Sequence, residues 1–255
     1  CFGRHGECPL PVLAMASPSD GFDILLEAFR IALTFMTPVL LLSDGSLATG
    51  AEPWKLPDLD QITPLPEFPL PALEKGVFHP YLRDAKTLAR PWAAPGLAGY
   101  EHRLGGLEKA QETGNISYDP ANHQAMVALR AKKIQGIAKY LAPLKVQGPK
   151  TGKLLVIGWG STQGAILSAV EILQKEGKSV AAVHLRHLSP LPDELETLIK
   201  GFEKLVVPEL NLGQLSLLVR ARYLREVKAL TKITGKPFQV RELAAELSAL
   251  LEEKS

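Results

Sequence analysis

Three short stretches near the end of the chain constrain its fold more than anything else in the sequence. They are KLLVIGW (153–159), VAAVHL (180–185) and EKLVVPE (203–209), each apolar for most of its length without alternation. A strand with one wet face alternates polar and apolar residues, so a strand without alternation is covered on both faces. Helical patterns separate and follow these runs: an amphipathic one over 163–176 that ends at Gly177, a second over 192–202, and a third over 212–224 after Asn211. Apolar strands alternating with helices predict a parallel sheet with helices on both faces. The fold class is therefore α/β, and residues 151–255 read as one parallel α/β domain.

The opening of the chain repeats the rhythm in miniature. PVLAMA (11–16) is a short apolar run, and Ser17-Pro18-Ser19-Asp20 reads as a turn and helix cap. Over 21–35 apolar residues recur at helical spacing through Ile24, Leu25, Ala28, Ile31, Ala32 and Phe35. Thr37-Pro38 ends that helix, and PVLLLS (38–43) follows as a continuously apolar strand of the buried type. Strand, helix, strand predicts a parallel pair, yet two strands do not make a stable domain. Residues 1–57 therefore read as the later part of a larger α/β domain, entered midway.

The region between, 58–150, reads as an irregular strap with one helix. Proline runs such as LPDLDQITPLPEFPLP (56–71) cannot join a central strand and favour extended chain on a surface. Free linkers seldom carry aromatics, so Trp54, Phe68, Phe78, Tyr81 and Trp92 predict docking onto a surface, a partner subunit's among the options. The helix is NHQAMVALRAKKIQGIAKY (122–140), with Met126, Leu129, Ile134, Ile137 and Ala138 near one face.

Charge and cysteine content remove several function classes. The 29 basic residues against 27 acidic ones give a net charge of +2, which does not point to nucleic acid or an anionic membrane. The longest apolar runs fall far short of the ~20 residues that span a bilayer, and no basic segment precedes an apolar one at the start as in a signal peptide. The two cysteines, Cys1 and Cys8, stand at C-x6-C, too wide for a zinc or redox pair, so no metal site is expected. Two cysteines are no disulfide scaffold, which makes the cytoplasm the expected location.

Several residues stand where chemistry is done. IGWGSTQGAI carries Gly158, Gly160 and Gly164 between a strand and a helix, a pattern that serves a dinucleotide or simply a tight turn. Trp159 crowds the approach that the glycines would allow, and the next strand ends in His184-Leu185-Arg186-His187 without an acid for a ribose; Arg186 would suit a 2′-phosphate. His184 and His187 read as surface histidines with acid–base work as the alternative. Asp44, at the end of a strand in LLSDGSLATG, is a ligand position or a turn former. Glu209 and Asn211 have the same layout, with Asn211 as a helix cap. In FGRHGECPLPV, Arg4 offers a guanidinium fork that suits a carboxylate, His5 adds a donor or acceptor, and Glu7 orients either or pairs on the surface.

Taken together, GRHGECPLPVLA, LLSDGSLATGAEPW, YEHRLGGLEKAQETGNISYDPANH and VPELNLGQLSLLVRARYL resemble the alpha subunit of 2-oxoacid:ferredoxin oxidoreductases, most closely the 2-oxoglutarate type. The resemblance covers essentially the whole chain. It implies the C-terminal part of a thiamine-diphosphate pyrimidine-binding domain followed by a domain similar to the transketolase C-terminal domain. It also implies a reaction: 2-oxoglutarate, coenzyme A and oxidised ferredoxin give succinyl-CoA, carbon dioxide and reduced ferredoxin. Arg4 and His5 would then bind substrate, with His102, Arg103, Asn211 and Gln214, beside Glu7 and Asp44, as site or interface residues. Ser46 departs from the family, in which a tyrosine or similar bulky residue is expected.

The resemblance also implies partners. The sequence has no G-D-G-x…N motif for Mg2+ and diphosphate and no cysteine set for a 4Fe–4S cluster; the resemblance implies that both belong to a beta subunit. The upstream part of the alpha subunit, the beta subunit and ferredoxin are expected partners in a heteromer. The chain alone is expected to be inactive. Pyruvate and other 2-oxoacids stay open as substrates. The rival of another class is a non-catalytic α/β module that holds NADP or a phosphate ligand at IGWGSTQG.

Overall fold

The computed structural model describes residues 6–253. Internal packing divides the chain into two units. One gathers Leu26–Leu40 and Leu56–Tyr140 with the opening of the chain up to Pro11; the other holds Val12–Leu25, Leu41–Lys55 and everything from Leu141 onward.

The second unit contains a five-stranded sheet. Its strands are β3 (Val146–Gln147), β4 (Gly152–Trp159), β5 (Val180–Leu185), β7 (Phe202–Glu209) and β8 (Lys228–Thr231), in the order β3-β5-β4-β7-β8. All neighbours are parallel except β3, which runs antiparallel to β5 at one edge. Side chains alternate between the faces. Leu155, Ile157, Ala181, Val183, Leu205 and Val207 enter one core; Leu154, Val156, Val180, Ala182 and Val206 enter the other. Helices α5 (Glu194–Lys200) and α6 (Gln214–Tyr223) cover the first face, and α4 (Gln163–Lys175) and α7 (Val240–Glu252) the second. Burial on both faces is why these strands read as uninterrupted apolar runs.

The predicted strands and helices of this unit are present, with α5 and α6 shorter at their ends than the sequence suggested. Sequence reading missed β3, β8 and α7. It also missed β6 (His187–Ser189), which pairs antiparallel with β1 (Val12–Ala14). These belong to a separate three-stranded sheet of order β2-β1-β6, where β2 is Leu40–Leu42. The bonds Leu40 N–H to Pro11 O and Met15 N–H to Leu42 O, both 3.0 Å, run the expected parallel way. PVLLLS is not the buried strand its composition suggested: as an edge strand, β2 leaves Leu40 46% and Leu42 38% exposed.

Helix α1 (Asp20–Phe35) begins at the predicted cap, where Asp20 accepts from the Ala16 N–H at 3.0 Å. The unit boundary falls within it. In the first unit, the later turns of α1 and α3 (Pro120–Gly136) receive the irregular strap. Asp119 caps α3 from Ala121 N–H, and Pro120 stands at its first turn, where its missing N–H costs nothing. The strap's aromatics dock on this same chain. Trp92 Nε1 donates to Leu33 O at 3.0 Å, Phe68 packs on Trp92 at 5.1 Å, and Phe78 meets Tyr100 at 5.2 Å. Tyr100 Oη donates to Pro71 O at 2.7 Å, tying two strap segments together.

Candidate functional site

In an open parallel sheet the crevice for a ligand lies at the carboxyl ends of the strands, where the chain's connections diverge. Here that point lies between β4 and β7: β5 follows β4 on one side, and β7 and β8 extend on the other. Trp159 ends β4 and Glu209 ends β7, and Trp159 Nε1 donates to Glu209 Oε2 at 3.4 Å.

Glu209 is fully buried. Its carboxylate also accepts from the Leu215 N–H at 2.8 Å, the Ser216 N–H at 2.9 Å and Ser216 Oγ at 2.6 Å. Those amides are among the orphan donors of the first turn of α6, and a carboxylate there is stabilised by the helix dipole. Asn211 completes the cap, its Oδ1 accepting from Gly213 N–H and Gln214 N–H, each at 2.9 Å. The cap reading of Asn211 holds, while Gln214 enters through its backbone and leaves its own side chain exposed. Glu209 is therefore occupied by four donors, a positioning group rather than a base with a free oxygen.

The loop after β4 closes on Asp44. Asp44 Oδ1 accepts from Ser46 N–H and Leu47 N–H, both at 3.1 Å, and caps the short helix α2 (Gly45–Ala48). Its other oxygen, Oδ2, accepts from the Ser161 N–H at 3.1 Å. Burial pushes this carboxyl upward, but hydrogen bonds from Ser161, Ser46 and Leu47 outweigh it and hold the pKa below the ordinary value. Gly160 adopts φ +61°, a region open to glycine, and a Cβ there would lie 3.5 Å from Asp44 Oδ2. Asp44 thus forms the local turn, and its second oxygen is engaged by this chain's own Ser161 amide.

The rival nucleotide reading of IGWGSTQG loses its two anchors. The Ser161 amide that would face a phosphate is taken by Asp44, a carboxylate that would itself repel one. Arg186, which would serve a 2′-phosphate, forks onto Asp20, with Nη2–Oδ1 at 2.8 Å and Nε–Oδ2 at 3.2 Å.

His184 and His187 are not surface residues. His187 is 7% exposed, and both ring nitrogens of His184 are sealed from solvent. Gly158 pairs with His184 across β4 and β5, and a Cβ on Gly158 would lie 3.0 Å from Nδ1, so the glycine makes room for the ring. Burial lowers the His184 pKa to about 4 against a smaller upward pull from Asp20, with Arg186 adding to the fall. The Gly160 backbone helps the charged form slightly without reaching hydrogen-bond geometry. A neutral, inaccessible imidazole is no proton carrier at neutral pH.

Arg4 and His5 lie outside the described residues. Glu7 is exposed and makes no ion pair among the described residues. In the first unit, His102 Nδ1 lies 2.9 Å from Tyr100 O and its ring meets Phe78 edge-on at 5.3 Å, while Arg103 is exposed. Glu209 was noted in the sequence for its place at a strand end, but its capping of α6 was not read there. A carboxylate at the end of an apolar strand, six and seven residues before the amides it caps, was its one signal.

A parallel α/β sheet with a capped polar network at its switch point defines a domain of the open α/β class, and comparison with known proteins makes this specific. Residues 2–119 match the family model described as pyruvate flavodoxin/ferredoxin oxidoreductase, thiamine diphosphate-binding, and residues 152–243 match pyruvate:ferredoxin oxidoreductase core domain II. The 2-oxoglutarate oxidoreductase subunit KorA of Mycobacterium tuberculosis is 47% identical over 98% of this chain and 38% of its own length. Subunit alpha of 2-oxoacid:ferredoxin oxidoreductase 1 of Aeropyrum pernix is 31% identical over 95% of this chain and 38% of its own. A solved 2-oxoglutarate:ferredoxin oxidoreductase from Magnetococcus marinus, with 2-oxoglutarate, coenzyme A and succinyl-CoA bound, superposes with a TM-score of 0.88 at 28% identity. That match covers 97% of this chain and 43% of the other. The chain belongs to the alpha-subunit family of the 2-oxoacid:ferredoxin oxidoreductases and spans about two fifths of the length of these relatives.

The described residues do not gather a ligand set for magnesium. Among them no three His, Cys, Asp or Glu side chains converge as metal ligands, and the Asp44 and Glu209 carboxylates are already engaged. No helix of the described residues is long and apolar enough to cross a membrane.

Proposed function

We propose that this chain is part of the alpha subunit of a 2-oxoglutarate:ferredoxin oxidoreductase, acting in the cytoplasm. The enzyme oxidatively decarboxylates 2-oxoglutarate with coenzyme A to succinyl-CoA and carbon dioxide and passes electrons to ferredoxin. The observation that carries the reading is the 47% identity across 98% of the chain to the Mycobacterium tuberculosis subunit. The solved relative with 2-oxoglutarate and coenzyme A bound supports it. Thiamine diphosphate carries the carbon chemistry in this reading, with Mg2+ and the 4Fe–4S cluster on a beta subunit and the rest of the alpha subunit supplied outside these residues. Residues 1–57 belong to the thiamine-side domain, 58–150 to the strap, and 151–255 to the core domain. Arg4 grips a substrate carboxylate, because a guanidinium fork fixes a carboxylate through two charge-assisted bonds, and His5 lines the same pocket. Glu7, His102 and Arg103 serve the site margin or the subunit interface.

The test is the complex purified with its partner subunits and assayed for succinyl-CoA. The Arg4→Ala variant is expected to lose about 10- to 100-fold in kcat/KM for 2-oxoglutarate, the worth of a charged hydrogen-bonded contact. An unchanged kcat/KM would remove Arg4 from the substrate site. Formation of acetyl-CoA from pyruvate in place of succinyl-CoA would replace the substrate.

A further inference from the structure

The first unit holds a cluster of cations that the proposed reaction does not use. Arg83 and Arg90 both lie over the ring of Tyr81, with guanidinium carbons 6.0 Å and 4.6 Å from its centroid. The cluster extends to Lys133 on α3, whose charge is disfavoured by burial first and then by Arg83 and Arg90, which lower its pKa to about 8. Burial, Arg90 and Arg130 likewise lower Arg83, opposed by Tyr81 alone.

Among the described residues no carboxylate forms an ion pair with Arg83, Arg90 or Lys133. Among the groups that act on Arg83 and Lys133 there is no carboxylate. Asp84, next to Arg83 in sequence, turns onto its own loop, accepting from Lys86 N–H, Thr87 N–H and Thr87 Oγ1. Glu108 pairs with Arg130 at 3.2 Å and also with His123.

The hydrogen bonds hold these side chains in place without satisfying their charge. Arg83 Nη1 donates to Leu88 O at 2.9 Å and Lys133 Nζ to Met36 O at 3.1 Å, both neutral carbonyls. Arg83 Nε is buried without an acceptor, and among the described residues Arg90 contacts the Tyr81 ring without an ion pair or hydrogen bond. All three cations are half-buried, so each keeps a face toward solvent while water screens them less than it would at an open surface.

We propose that Arg83 and Arg90, stacked on the Tyr81 ring, form with Lys133 of α3 a binding site for a phosphate-class oxyanion. Three cations held together without a counter-ion repel one another, and a ligand that carries two or more negative charges relieves that repulsion. The two guanidinium forks give planar, bidentate recognition of phosphate oxygens, and the lysine adds a point charge. A single carboxylate would leave most of the charge unmet. The site stands on this chain's own geometry and does not depend on which 2-oxoacid the enzyme uses.

The experiment is calorimetric titration of the full chain with inorganic pyrophosphate, at ionic strength held constant with sodium chloride. Saturable binding at one site is expected, weakened about tenfold or more in Arg90→Gln, which removes a cation with no bond to the fold. A second readout is the NMR titration of Lys133, whose midpoint is expected to rise from about 8 when pyrophosphate is present, because an anion favours the charged form. ADP in a parallel titration separates the sources: tighter binding than pyrophosphate assigns a nucleotide-borne phosphate, and weaker binding a free one. Absence of saturable binding, equal affinity in Arg90→Gln, or an unmoved Lys133 midpoint would each overturn the site.

Discussion

At the residue scale, Glu209 joins three parts of the second unit: the end of β7, the first turn of α6 and the Trp159 indole. Its removal strands several buried donors at once, so Glu209→Ala is expected to cost about 2–4 kcal/mol, and Glu209→Gln, which keeps one acceptor, roughly half of that. Denaturant unfolding of the two variants measures this, and equal losses would show that the charge, not the acceptor count, matters. His184 yields a pH dependence. Its folded pKa of about 4 lies below the ordinary 6.5, so the unfolded chain binds more protons between those values, and stability falls as pH drops through that window. Between pH 7.5 and pH 5 this one group removes about 2 kcal/mol, a slope that His184→Asn should flatten. Neither role could be read in the sequence. A histidine in HLRH looks the same buried or exposed, and only the pairing of β5 with Gly158 on β4 shows where the ring goes.

At the element scale, the parallel strands were legible because burial on both faces leaves no polar residue to break the run. The strap was legible through its prolines, and its docking through its aromatics, but not the surface it docks on, which is set by contacts such as Trp92 to Leu33, 59 residues apart in the chain. Helix α7 was missed although Leu243, Leu247 and Leu250 stand at helical spacing and are buried against α4 and the sheet. Because α7 shares the covering of one core with α4 and buries Leu243 completely, Leu243→Ala is expected to cost about 2–5 kcal/mol through the cavity it leaves, measured by chemical denaturation. A loss below about 1 kcal/mol would show that α7 is loosely seated.

At the scale of the molecule, the chain carries two family domains in order, at 2–119 and 152–243, and accounts for about two fifths of its relatives' length. The family was legible in the sequence because four separated blocks, from GRHGECPLPVLA to VPELNLGQLSLLVRARYL, stand in the family's order. The substrate site was legible only as an expectation, since Arg4 and His5 lie outside the described residues. The central claim is the reaction, and it is tested most directly by ferredoxin reduction in the complex purified with its partner subunits. The account predicts reduction that requires both 2-oxoglutarate and coenzyme A and that exceeds the pyruvate-dependent rate by about tenfold or more. Equal rates with the two acids, or no reduction dependent on a 2-oxoacid, would contradict it.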